Sequence, residues 1–179
     1  MADHDVSQGI RGSYRDVLYG PTGLLVADSG WRKNAIVTDC RRLLAGFMRG
    51  LPPSLGVQGL QVGAGLDTWD QPPGTPPASA TQTALVDPHP FLVPLTSLKM
   101  DFLDGANVVA SPTNRLQIVA TLGPNVPSWP DANHPTGTLR EFGLAGSLAG
   151  SGVLIDYVTH PAIAKDPVST LTRTIWLVF

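Results

Sequence analysis

The chain is poor in charged residues. Asp, Glu, Lys and Arg together account for 15% of its 179 residues, whereas roughly 25% is usual in a soluble domain. Charged side chains normally form much of the surface that a protein leaves in water. The deficit therefore predicts that part of the surface is covered by other molecules in the working state.

The sequence lacks the features that are typical of several functional classes. A net charge of −2, with no run rich in Lys or Arg, argues against a nucleic-acid partner. The single cysteine has no second one with which to form an internal disulfide. The first residues show no basic-then-apolar targeting signal, and no apolar run approaches the roughly 18 residues of a membrane helix. We therefore expect a protein made in the cytoplasm and not inserted into a membrane.

Glycine and proline, by contrast, are abundant. The chain contains 19 glycines and 17 prolines, well above their joint share of roughly 12% in average proteins. Both residues interrupt helices, so the composition favours a mainly β protein with long loops. One short helix is still predicted, at about residues 39–49, with Asp39 as its N-cap and Gly50 at its end. Its packing face, which we expect to lie on a sheet, consists of Leu43, Leu44, Phe47 and Met48.

Alternation of side chains predicts the strands. The clearest case is residues 115–122, where one face consists of Leu116, Ile118, Ala120 and Leu122. Residues 24–27, 34–37 and 60–63 predict shorter strands. Three prolines interrupt residues 83–103, which predicts an edge strand, a bulged strand or two separate pieces. The whole pattern predicts an antiparallel β-sandwich or barrel-like domain with one short packed α-helix and long Pro/Gly-rich loops.

The domain is expected to span residues 21–179, after an N-terminal arm of residues 1–20. Residues 139–179 are predicted to form three short strands and end in the apolar run Ile175-Trp176-Leu177-Val178-Phe179. One face of the last strand is apolar except for one arginine, with Leu171, Arg173, Ile175, Leu177 and Phe179. The opposite face changes from threonines to Trp176 and Val178. This change predicts that the terminus is covered on both faces, by a second layer of the chain or by another subunit.

The search for chemical motifs returns isolated residues. His4, His89, His134 and His160 are scattered without the paired spacing of a metal site, which predicts structural or surface roles. Cys40 is expected to be packed and inert, although it lies near a helix N-terminus. Asp156 is interpreted as a carboxylate bonded to a neighbouring loop or to Arg173, with a catalytic role as the weaker alternative. We therefore predict no catalytic residue, no metal and no cofactor.

Two tryptophans lie in long Pro-rich loops. Trp69 belongs to residues 67–80 and Trp129 to residues 123–137. Loops of this length are often functional, and an aromatic residue held out on one offers contact area to a partner or a sugar. The alternative is that each ring folds back over its own loop. We hypothesise that both loops lie on neighbouring subunits, which adds the two tryptophans to the candidate contact residues Trp176, Val178 and Phe179.

The C-terminal strands resemble a known class of proteins. The segments Leu139-Arg140-Glu141-Phe142-Gly143-Leu144, Val153 to Val158, Ile163-Ala164-Lys165 and Leu171-Thr172-Arg173-Thr174-Ile175 are similar to the ending of tail and tail-fibre-type structural proteins of phages and contractile injection systems. Residues 28–31, the Arg-Arg-Leu-Leu helix and residues 60–65 resemble the front half of such proteins. The resemblance covers about 40 residues well, and the long repetitive shaft of a fibre is missing.

The resemblance implies a small connector, collar, baseplate or fibre-attachment subunit. Such a virion component is a homo-oligomeric structural protein that contacts copies of itself and other tail or baseplate proteins. It would pass from the cytoplasm of the producing cell into the assembled particle and would not be an enzyme. The alternative hypothesis is a carbohydrate-binding β-sandwich that uses Trp69 or Trp129.

Overall fold

The computed structural model describes residues 9–179, so the predicted role of His4 lies outside the described part. In chain order its elements are β1 (Arg11–Tyr19), β2 (Leu25–Asp28), β3 (Arg32–Lys33), β4 (Ala35–Ile36), α1 (Thr38–Arg49), β5 (Leu55–Gly63), β6 (Phe91–Pro94), β7 (Leu98–Asp104), β8 (Asn107–Val109), β9 (Arg115–Leu122), β10 (Thr138–Leu148), β11 (Ser151–Leu154), β12 (Asp156–Ala164) and β13 (Thr170–Val178). Single 3₁₀ turns lie at Asp67–Asp70 and Leu95–Ser97.

The strands form two antiparallel sheets. The seven-stranded sheet has the order β2-β1-β13-β9-β7-β8, and β3 pairs with β1 beyond the end of β2. The six-stranded sheet has the order β4-β12-β10-β5-β6, and β11 pairs with β10. The predicted mainly β fold with one packed helix is therefore confirmed.

One hydrophobic core joins the two sheets. Tyr14, Ile118 and Ile175 of the seven-stranded sheet contact Leu60 and Phe142 of the six-stranded sheet within a single buried cluster. Strand β9 has the predicted bounds, and its predicted apolar face points into this core. The faces of β13 alternate as expected, because Leu171, Arg173, Ile175 and Leu177 are all buried.

Helix α1 lies where the sequence places it, and its packing face agrees with the prediction at Leu43 and Leu44 only. It packs on β10 and β11, and its buried residues are Cys40, Leu43 and Gly46. Met48 was predicted to pack and is instead 92% exposed. Its N-cap is Val37, without a side-chain cap, rather than Asp39. The αL conformation of Gly50 ends the helix as predicted.

Two boundary predictions need correction. Residues 1–20 were expected to form an arm, but Arg11–Tyr19 is β1, which pairs with β13 along its whole length. Residues 139–179 form four strands rather than three, because Ile155 separates β11 from β12. The proline-rich segment 83–103 is split into two pieces, with β6 at the edge of one sheet and β7 in the other.

Candidate interaction surfaces and the buried polar network

Arg173 is the exception in the inward face of β13, and its side chain is fully buried. Its Nε donates to Asp16 Oδ1 at 2.7 Å and its Nη2 to Asp16 Oδ2 at 2.8 Å. The guanidinium also lies over the Phe142 ring, 3.7 Å from the centroid. A planar guanidinium suits both contacts, because it bonds a carboxylate at two points and stacks on an aromatic face.

His160, which lies in β12 of the six-stranded sheet, also belongs to this buried polar cluster. Its Nδ1 lies 2.9 Å from the Pro161 carbonyl, and its Nε2 lies 3.0 Å from Arg173 Nη2. Nδ1–H therefore donates to the carbonyl, while Nε2 accepts from the arginine. Burial, with the Arg173 charge as a further cause, lowers the pKa of His160 to about 4. A neutral imidazole thus links β12 to β13.

A cleft of about 170 Å³ borders this cluster and is lined in part by Asp16, His160 and Arg32. Both oxygens of Asp16 already bond Arg173, and both ring nitrogens of His160 are engaged. Proton transfer to a ligand in the cleft would require breaking one of these bonds. The arrangement is suited to holding the two sheets in register.

A second buried cluster surrounds Glu141, the only glutamate of the chain. Its two carboxyl oxygens accept hydrogen bonds from the backbone N–H groups of Val86 and Asp87 and from the Tyr157 hydroxyl. Burial and the Glu141 contact raise the pKa of Tyr157. These bonds attach the segment before β6 to the outer face of β10, which explains why β10 is buried on both faces.

Of the two predicted partners of Asp156, the structure shows a neighbouring connection, through Asn34 between β3 and β4, and not Arg173. Asp156 accepts bonds from the Leu144 N–H at 2.7 Å and from Asn34 Nδ2 at 2.6 Å, while Arg173 pairs with Asp16. Burial raises the pKa of Asp156 to about 6, although both hydrogen bonds act in the opposite direction. Cys40 is buried as expected, and burial raises the pKa of its thiol to about 11.

Trp69 is folded back over its own loop, which was the alternative to the hypothesis that it contacts a neighbouring subunit. The ring is 8% exposed. Arg140 holds the surrounding turn, because its Nε and Nη2 donate to Asp70 and its Nη1 donates to the Ala64 carbonyl. Gly65, with φ of +58°, lies directly against the ring. The loop is therefore anchored to its own domain.

Trp129 is also folded back, with 6% of the residue exposed. It stacks on His134 with ring centroids 3.8 Å apart. The His134 ring contacts Asp131 Oδ1 at 2.9 Å and Asp87 Oδ2 at 3.1 Å. The second loop is thus held inside the subunit by an aromatic stack and two carboxyl contacts.

The three C-terminal candidates have different environments. Trp176 is half-buried, since Trp31 stacks on it at 4.2 Å and its Nε1–H donates to Gln117. Val178 is half-buried on the same outer face. Phe179 lies beyond β13 and is 46% exposed, rather than continuing the inward face as predicted. Part of the expected cover on the outer face therefore comes from Trp31 of the same chain.

The largest exposed apolar run lies at an edge of the seven-stranded sheet. Leu24, Leu25 and Val26, here called the edge patch, are 71%, 61% and 62% exposed. Strand β2 contains no Lys or Pro, and its only charged residue, Asp28, is ion-paired with Arg15. Natural edge strands usually carry charges or prolines that prevent pairing with another chain. The edge patch therefore lacks the usual protection of an edge strand against pairing with another chain.

Within residues 9–179, no group of three or more His, Cys, Asp or Glu side chains is arranged to hold a metal ion. None of the helices in that range combines the length and the apolar character that a membrane crossing requires.

Fold and surface together define a two-sheet antiparallel β-sandwich with a buried ionic core and an exposed apolar edge strand. No family model, curated protein or solved structure matches the chain.

Sequence reasoning missed the roles of Asp16 and Glu141, and it did not identify the partners of His134, for which it predicted a structural or surface role. Asp156 was considered as a partner of Arg173, whereas Asp16 lay in the segment interpreted as an arm. In β1 the buried residues Tyr14, Asp16 and Leu18 alternate with less buried ones. This pattern can be recognised in the sequence only if an aspartate is accepted as a core residue. Nothing local marks Glu141, because its partners are 16, 54 and 55 residues away in the chain.

Proposed function

We propose that the chain is a structural assembly subunit of a phage tail or tail-like contractile injection particle. The observation that supports assembly most strongly is the edge patch, in which Leu24 and the first two residues of β2 are large, apolar and exposed. Strand β2 pairs with β1 on one side only, so its other edge is open. Burying them would remove apolar surface from water at about 25 cal/mol per Å². The assignment to a tail-like particle rests on the resemblance of the C-terminal strands.

The proposed contact is between two copies of the chain. An edge strand can pair with its counterpart across a two-fold axis, which closes the assembly and removes both edges. Because β2 is the first strand in the sheet order, such pairing would join two seven-stranded sheets into one continuous sheet. Contacts with other particle components would use different surfaces.

The carbohydrate-binding alternative lacks its proposed contact residues. It depended on Trp69 or Trp129, and both rings are almost completely buried. A sugar-binding platform needs an aromatic face that is open to the ligand.

Sedimentation velocity over a range of protein concentrations tests the proposal. The unmodified chain is expected to form dimers or larger species as the concentration rises. Val26→Lys should shift the protein to monomer, since a lysine on each edge opposes pairing. Met48→Lys is the matched control, because it places the same charge at another exposed apolar position. A monomeric unmodified chain, or equal effects of the two lysines, would contradict self-assembly through β2.

A further inference from the structure

A groove at the start of β1 brings together four positively charged side chains. Its lining includes Arg11, Lys33, Arg41 and Arg115, and it includes no Asp or Glu. Among residues 9–179, none of the four forms an ion pair with a carboxylate. The groove is therefore a positively charged site on a chain whose net charge is −2.

These four cations come from separate elements. Arg11 begins β1, Lys33 ends β3, Arg41 lies in the first turns of α1 and Arg115 begins β9. They are therefore brought together by the tertiary fold rather than by one charged helix face.

The groove is also apolar and large enough for a peptide. Its volume is about 600 Å³, and its apolar lining includes Ile10, Ile36, Trp176 and Val178. Typical ligand sites occupy roughly 300–1,000 Å³. A small inorganic anion would leave most of this apolar surface uncovered. The ligand should therefore carry both negative charges and apolar side chains.

We propose that this groove binds an acidic peptide segment of a partner protein in which carboxylates and apolar side chains alternate. Carboxylates would pair with the four cations, and apolar side chains would cover Trp176 and Val178. A single-stranded nucleic acid fits less well, because Trp31 already stacks on Trp176 and the indole N–H is bonded to Gln117. The groove lies apart from the edge patch, so its ligand does not depend on self-assembly.

Fluorescence anisotropy with a labelled peptide of alternating Glu and Leu provides the test. We expect saturable binding to the full chain, weakened roughly two- to fivefold by Arg41→Gln. Arg49→Gln is the matched control, because Arg49 lies on the same helix, is exposed and does not line the groove. Each variant removes one positive charge, so the two differ in position rather than in net charge. Binding should also weaken as salt is raised.

Three outcomes would overturn the proposal. The first is equal affinity of Arg41→Gln and Arg49→Gln for the peptide. The second is equally tight binding of a peptide of alternating Lys and Leu, which would show that only apolar contact matters. The third is tighter binding of an oligothymidine than of the acidic peptide, which would assign the groove to nucleic acid. Thermal unfolding of both variants excludes loss of folding as a cause.

Discussion

Asp16 and Arg173 are direct cross-strand partners in β1 and β13, and their side chains form a two-point ion pair inside the hydrophobic core. Both residues are almost inaccessible to water. A buried ion pair must compensate for the loss of hydration of both charges, and it does so only with good geometry and further hydrogen bonds. Here the further contacts come from His160 and Phe142.

Breaking this pair from one side should be strongly destabilising. Asp16→Asn leaves the buried guanidinium without its counter-charge, and we expect a loss of about 3–5 kcal/mol in the free energy of unfolding. The double variant Asp16→Leu/Arg173→Met should lose less than the sum of the losses of Asp16→Leu and Arg173→Met measured singly, because it leaves no unpaired charge. Urea denaturation measures both effects. Strictly additive losses would mean that the two side chains do not depend on each other.

The folded state should lose stability in acid through His160. Its pKa falls from 6.5 to about 4 on folding, so the unfolded chain binds the additional proton between those values. Stability is therefore lost as the pH falls through that interval, by up to about 3 kcal/mol. His160→Gln should flatten this part of the stability curve, measured by urea denaturation at several pH values. An unchanged slope in the variant would contradict the assignment to His160.

The contribution of Asp156 to stability should depend on pH in the opposite direction. The pKa of Asp156 rises from 3.8 to about 6 on folding, so the folded chain binds more protons in that interval and stability falls as the pH rises. Above pH 6 the ionised carboxylate costs up to about 3 kcal/mol. Asp156→Asn should recover part of this cost at pH 7.5. The amide oxygen can accept from the Leu144 N–H, and the NH2 can donate to Asn34 Oδ1 once the Asn34 amide turns over. Greater loss of stability in the variant at pH 7.5 than at pH 4 would contradict this interpretation.

The two long loops should contribute to the stability of the isolated subunit. Trp129→Ala removes a buried ring, and we expect a loss of about 3–5 kcal/mol. Trp31→Ala is the control, because that ring is 44% exposed and its loss should cost much less. Thermal unfolding of the purified variants gives the comparison. A normal melting temperature for Trp129→Ala would restore the hypothesis that this loop serves a neighbouring subunit.

The fold class could be predicted from the sequence, because the patterns that indicate it are short-range. Alternation in β9 and the glycine after α1 depend on residues close together in the chain, and both were predicted correctly. The two faces of β13 were also visible, including the unusual position of Arg173. Periodicity was less reliable for α1, because Met48 has helical spacing with Leu44 but is exposed to solvent.

The polar network and the loop positions depend on contacts between distant residues. Asp16 and Arg173 are 157 positions apart, and Arg140 reaches Asp70 across 70 positions. A single sequence contains no measure of such pairings. It therefore left Asp156 between a neighbouring loop and Arg173, and it left each tryptophan between a partner contact and its own loop. The edge patch was missed for a related reason. A short apolar strand in sequence does not show whether a neighbour lies on its outer side.

Cross-linking at β2 tests the proposed assembly most directly. A chain with Val26→Cys is treated with a short bis-maleimide, and Met48→Cys serves as the control at another exposed position. Cys40 can remain, because its thiol is buried and its pKa is raised to about 11. We expect Val26→Cys to give a covalent dimer and Met48→Cys to remain monomeric. Equal cross-linking of the two variants, or none in either, would contradict assembly through the edge patch.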